Sequence, residues 1–77
     1  MVRNQIEKYS KMIVNECLRA SLKFDKFNSA HEGYAVIKEE VDELWDEVKG
    51  NNLEQARNEA MQVGAMALRF LIDTDSK

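Results

Sequence analysis

Residues 29–52 read SAHEGYAVIKEEVDELWDEVKGNN, and this stretch decides the fold. Ser29 followed three residues later by Glu32 is the pair that satisfies the free amide hydrogens of a helix start reciprocally. Tyr34, Ile37, Val41, Leu44 and Val48 then recur at spacings of three and four, which predicts one apolar seam along a helix. Gly50 is placed to close that helix in the left-handed conformation.

Working outward, the chain contains no proline and few runs of β-branched residues, so helix is favoured throughout. Upstream, Val2, Ile6, Tyr9, Ile13, Cys17, Ala20 and Phe24 form a second helical pattern, which Asp25-Lys26-Phe27-Asn28 interrupts. Downstream, Asn52 with Gln55 three residues on reads as an N-cap. From there Leu53, Ala56, Ala60, Gly64, Ala67 and Leu71 mark a third helix whose small side chains let a neighbour approach closely. The expected architecture is all-α, a single domain over residues 1–77. It has three helices, the second and third joined by the short Gly50-Asn51-Asn52 turn into an antiparallel hairpin. Residues 73–77 read as a frayed tail.

A chain of 77 residues exposes a large share of its surface when it folds alone, and its single cysteine excludes an internal disulfide. Cys17 lies on the apolar stripe of helix 1 and reads as a buried small hydrophobe. In helix 3, Met61, Val63, Ala65, Met66, Leu68, Phe70 and Ile72 widen the apolar surface well beyond one stripe. A helix apolar on most sides is buried on most sides, so a second subunit is expected to supply cover. Helices 2 and 3 of each chain would then form an intersubunit four-helix bundle, in a homodimer or homotetramer.

The first residues lack the basic segment and apolar run of a signal peptide. The most apolar stretch, 61–72, is interrupted by Arg69 and falls short of the roughly 20 residues a bilayer span needs. A cytoplasmic protein without a membrane partner is expected. The net charge is only −3, but seven acids lie between Glu32 and Glu47 with Lys38 as the one counter-charge. That patch repels a nucleic-acid backbone, and no basic stripe with interleaved aromatics offsets it, so nucleic acid is not an expected partner.

The hairpin gives those acids a register. Glu43 lies eight residues before Asn51 and Glu59 eight after it, about 12 Å along each axis at 1.5 Å per residue; Glu40 and Gln62 form the next matched level. Glu40, Glu43 and Glu47 share a helix face bordering the seam, so the hairpin brings Glu40, Glu43 and Glu59 together at a half-buried edge with Gln62 beside them. Two carboxylates about 4 Å apart repel by about 1 kcal/mol in water and about 4 at an effective dielectric of 20. A cation reverses that sign. Carboxylates without histidine or thiolate partners select hard, oxygen-seeking ions, Mg²⁺ or Mn²⁺. A solvated acidic face is the ordinary alternative, and it is the reading for Asp42 and Asp46, which turn outward.

Glu39-Glu40-Val41-Asp42-Glu43, with Glu59 and the surrounding residues 31–37 and 62–69, resembles the MazG-like all-α nucleoside triphosphate pyrophosphohydrolases, in particular a compact stand-alone subgroup. Their pattern is E-x-x-E preceded by a further Glu on one helix and E-x-x-D on the next, and the resemblance covers residues 29–72. It implies Mg²⁺ ligands at Glu40, Glu43 and Glu59, and Glu39 as partner to the attacking water. The reaction it implies cleaves a nucleoside triphosphate to the monophosphate and pyrophosphate. Gln62 stands where the pattern has aspartate; it offers a neutral carbonyl oxygen, or a bond to a metal-bound water, and one negative charge fewer.

Three residues are weaker substrate-binding candidates. Trp45 at the seam edge is placed for core or interface packing or for stacking on a base. Arg69 is placed to reach a phosphate or to form a surface ion pair with Asp73. Lys26, like Lys23, lies by the first loop. His31, without a second histidine, reads as structural. The reading that competes with the enzyme is a non-catalytic helical oligomer that binds nucleotide, metal or a protein partner.

Overall fold

The computed structural model describes residues 1–75 and contains three helices, α1 (Val2–Lys23), α2 (Ala30–Lys49) and α3 (Leu53–Asp73), with no strand among the described residues. No helix is long and apolar enough to cross a membrane. The boundaries follow local chemistry. The Ser29 hydroxyl accepts a hydrogen bond from the Glu32 amide at 3.1 Å, and the Asn52 side chain accepts one from the Gln55 amide at 3.3 Å. The Glu32 carboxylate reaches one residue further back than a reciprocal cap requires, accepting from the backbone N–H of Asn28 at 2.7 Å. It thereby fastens the α1–α2 loop to the start of α2.

The turn between α2 and α3 corrects one expectation. Gly50 has φ −79°, and the left-handed residue is Asn51 at φ 57°. The backbone N–H of Asn51 donates to the Val48 carbonyl and that of Asn52 to the Glu47 carbonyl, the paired bonds of a Schellman motif centred one residue later than expected. Asparagine is, after glycine, the residue that most often takes that conformation at a helix end.

Helix α3 is the middle of the structure. It packs antiparallel against α2 and runs alongside α1 in the same direction, while no Cα of α1 comes within 8 Å of one in α2. The core between them is Cys17, Ala20, Phe27, Ala65 and Met66, with Ile13, Val36, Ile37, Leu68 and Phe70 partly covered around it. Phe27 is a loop residue that sequence periodicity does not reveal. Cys17 is buried and unpaired, as its place on the stripe suggests.

Both expected seams are rotated. On α2 the line facing α3 is Gly33, Ile37, Glu40, Leu44 and Glu47, and Tyr34, Val41 and Val48 are exposed. On α3 the buried residues are Ala56, Ala65, Met66 and Arg69, and Leu53, Ala60, Ala67 and Leu71 face outward. The cause lies at Gly33, where an added Cβ would sit 2.6 Å from Cδ2 of Phe70 and 3.1 Å from Cδ2 of Phe27. The bare backbone admits the two rings and rolls α2 toward its acidic flank. In α1 the pattern is covered only from its middle onward: Val2 and Ile6 remain exposed because α3 begins at Leu53 and its first turns already lie opposite Tyr9.

Asp73 is not part of a frayed tail. It ends α3, its carboxylate accepts the Phe27 amide at 3.1 Å, and it lies 3.7 Å from Arg69; Ser76 and Lys77 of that expected tail lie outside the described residues.

Gly33→Ala is expected to cost about 1–2 kcal/mol in a urea unfolding curve, because the overpacking against Phe70 and Phe27 outweighs the better helix propensity of alanine.

Candidate functional site

The register counted from Asn51 holds in three dimensions. Glu40 and Glu43 from α2 and Glu59 from α3 bring one carboxylate oxygen each to within 4.8 Å of one another. Glu40 and Glu59 are half-buried at the helix contact and Glu43 is exposed at its edge. Burial is the main force on Glu40, and the charges of Glu43 and Glu59 act in the same direction, so its carboxyl is pushed up to about 7. A hydrogen bond with Glu43 and the charge of Glu39 add to the effect. The cluster relieves its repulsion by holding a proton, and the same oxygens can instead hold a hard divalent cation.

Beside the carboxylates a groove of about 460 Å³ runs between the three helices. Glu39 and Glu40 line it from α2, Gln62, Met66 and Arg69 from α3, Glu16 and Arg19 from α1, and Phe24, Asp25 and Phe27 close one end. Gln62 is not turned to the carboxylates by its amide nitrogen, which donates to Glu16 at 2.9 Å. Glu16 in turn is ion-paired with Arg19 three residues on. The Arg19 guanidinium holds the Glu16 carboxyl below its ordinary value, with the Gln62 amide acting in the same direction against the effect of burial. Sequence reading missed Glu16 and Arg19. The signal available for them was an acid and a base three apart, flanking Cys17 and Ala20 on the covered side of α1.

Arg69 forms the expected ion pair with Asp73, but the pair is buried instead of at the surface, and at 4% exposure Arg69 is not a free phosphate ligand. Its Nη2 donates to the Asp25 carbonyl at 2.9 Å, its guanidinium lies 4.5 Å from the centre of the Phe27 ring, and the Asp73 carboxylate is at 3.7 Å. A cation enclosed by a carbonyl, a carboxylate and an aromatic face is a structural tie, here from the end of α3 to the α1–α2 loop. Its Nε is buried without a hydrogen-bond partner.

Trp45 and Lys26 are both exposed and are not among the groove's lining residues. Trp45 lies on the flank of α2 away from the carboxylates, with Lys49 Nζ 5.8 Å from its ring centre. The structure thus gathers Glu39, Glu40, Glu43, Glu59, Gln62 and Arg69 in one region and leaves Trp45 and Lys26 outside it. Comparison with models of known protein families, with curated proteins and with solved structures gives no match, so the functional reading rests on these residues.

A pH dependence follows from Glu40. Its proton is held more tightly in the folded chain than in the unfolded one, so the metal-free protein loses stability as pH rises from about 4.5 through about 7. Because the group is only half-buried, solvent screening limits the loss to about 1 kcal/mol. Urea unfolding in EDTA across that range measures it, and Glu40→Gln should flatten most of the slope.

Proposed function

We propose that this chain hydrolyses a nucleoside triphosphate to the monophosphate and pyrophosphate with Mg²⁺, or Mn²⁺, held by Glu40, Glu43 and Glu59, as a homodimer or homotetramer in the cytoplasm. The observation that carries the reading is the convergence of those three carboxylates from two helices, one of which, Glu40, also lines the groove. The oxygen-only donor set fits a hard cation, and too few protein ligands surround it to complete an octahedron, which leaves positions for water and phosphate oxygens. When bound, such an ion neutralises phosphate charge and lowers the pKa of a coordinated water.

The chain's own residues supply the remainder. Glu39 lines the groove one residue from the cluster and accepts the proton of the attacking water. Arg19 is the exposed guanidinium of the groove and meets the phosphate tail, while Arg69 fixes the wall from behind. Gln62 contributes its carbonyl oxygen, since its amide nitrogen is engaged by Glu16. That engagement also favours a second reading, a non-catalytic helical oligomer that binds nucleotide, metal or a protein partner. The fourth polar position then serves to tie α1 to α3, and the cluster has one charge fewer to hold a metal.

Incubation with a panel of ribo- and deoxyribonucleoside triphosphates and Mg²⁺ or Mn²⁺ separates the two. Pyrophosphate release that falls to background in Glu43→Gln is the expected result. Absence of product with every nucleotide and both metals from folded protein overturns the enzyme, and calorimetric titration with Mg²⁺ then tests the binder.

A further inference from the structure

The contact of α1 with α3 leaves a second cavity, of about 280 Å³, that shares no lining residue with the groove. It arises from small side chains on α3. Ile13 packs onto the bare backbone at Gly64, where an added Cβ would sit 3.0 Å from its Cδ1. About one turn earlier Ala60 offers only a methyl group and stays exposed, so the space beside it is left unfilled. Met12, Ile13 and Met61 complete the apolar walls, and Tyr9, Arg57 and Asn58 supply the polar ones.

Arg57 sets the chemistry of that cavity. Of the four arginines in the chain, Arg3, Arg19 and Arg69 each lie within 4.0 Å of a carboxylate, and among the described residues Arg57 has no such partner. Its Nη2 donates to the Tyr9 hydroxyl at 2.9 Å, and its guanidinium lies 5.3 Å from the centre of the same ring. That bond leaves the other N–H donors of the guanidinium open, and the Tyr9 hydroxyl, which accepts from Arg57, keeps its own proton to donate. The Asn58 amide is tied to Gln55 at 2.9 Å and adds no charge. A cation with unused donors beside an apolar hollow is complementary to a molecule with an apolar body and an anionic head.

The geometry points to this cavity as a binding site for a small aromatic monocarboxylate, its ring against Met12, Ala60 and Met61 and its carboxylate on Arg57 and the Tyr9 hydroxyl. The volume agrees with that occupant. A cavity of about 150 Å³ takes benzene, and 280 Å³ leaves room for a short chain and a head group. Thioether side chains adapt to a flat ring and gain from sulfur–aromatic contact. The planar fork of one guanidinium matches a carboxylate through two parallel bonds and balances its single charge. A dianionic phosphate would leave one charge unbalanced on a chain whose net charge is already −3.

The site is separate from the carboxylate cluster, so its test uses neither nucleotide nor metal and its failure is distinguishable from failure of the hydrolase reading. Methionine methyl resonances report the location: Met12 and Met61 line the cavity, Met66 lines the groove, and Met1 is exposed at the terminus. Titration of the full chain with 3-phenylpropionate should shift Met12 and Met61 saturably and leave Met66 unmoved. The neutral 3-phenylpropanamide, with the same body, should bind at least about ten-fold more weakly. Arg57→Gln should bring the acid down to the level of the amide, and Ala60→Leu, which fills the hollow, should abolish the shifts from both. If either variant loses its helical circular dichroism, the comparison of acid with amide on the wild-type chain decides alone. Equal binding of acid and amide, shifts confined to Met66, the absence of any saturable shift, or shifts that survive Ala60→Leu in a folded chain overturn the inference. Tighter binding of phenyl phosphate than of 3-phenylpropionate overturns the carboxylate head.

Discussion

Helix α3 has to serve two neighbours whose backbones stay apart, and the rest of the structure depends on how it does so. One side meets α1, where Gly64 lies against Ile13; another meets α2, where Phe70 lies against Gly33. Small residues are what make both contacts close: Ala65 is fully buried and Ala56 nearly so. A larger residue at any of these positions would push a helix outward and change which side chains share a level. The carboxylate site therefore depends on apolar contacts that contain no acid.

The site also stores an unfavourable interaction. Burial and two neighbouring charges oppose ionisation of Glu40, and the apolar contacts of the hairpin offset that cost rather than remove it. On the far wall the logic is opposite. Glu16 has Arg19 and Gln62 as partners, and Arg69 has Asp25, Asp73 and the Phe27 ring, so charges there are compensated within the chain. The groove thus has one wall whose charge is balanced internally and one wall whose charge is not. Uncompensated acids on a half-buried edge are what an incoming cation would meet.

The two-sidedness of the layer follows from the same geometry. With only three helices in a flattened arrangement, 38 × 29 × 19 Å, α3 cannot be covered on all sides by its own chain. One open flank is polar and forms the groove, and the other is apolar. The wide apolar surface of helix 3 was legible in the sequence, and its own neighbours cover Met61, Val63, Ala65, Met66, Leu68 and Phe70 wholly or in part; the residues left exposed are Leu53, Ala60, Ala67 and Leu71, which periodicity assigned to an internal seam.

The sequence by itself determined the three helices, their caps at Ser29 and Asn52, the antiparallel hairpin and the common level of Glu40, Glu43 and Glu59, because helix rise and turn length fix distances along an axis. Rotation about that axis was decided only in three dimensions. An apolar period marks a stripe, but the close approach of Phe70 and Phe27 to the bare backbone at Gly33 sets which edge of that stripe meets α3, and Tyr34, Val41 and Val48 remain exposed. The roles of Glu16 and Arg69 were likewise settled only by tertiary structure. Their partners, Gln62 for the one and Asp25 with Phe27 for the other, lie 46, 44 and 42 residues away in the chain. No local spacing encodes such a meeting, since it arises when α1 and the α1–α2 loop close on α3.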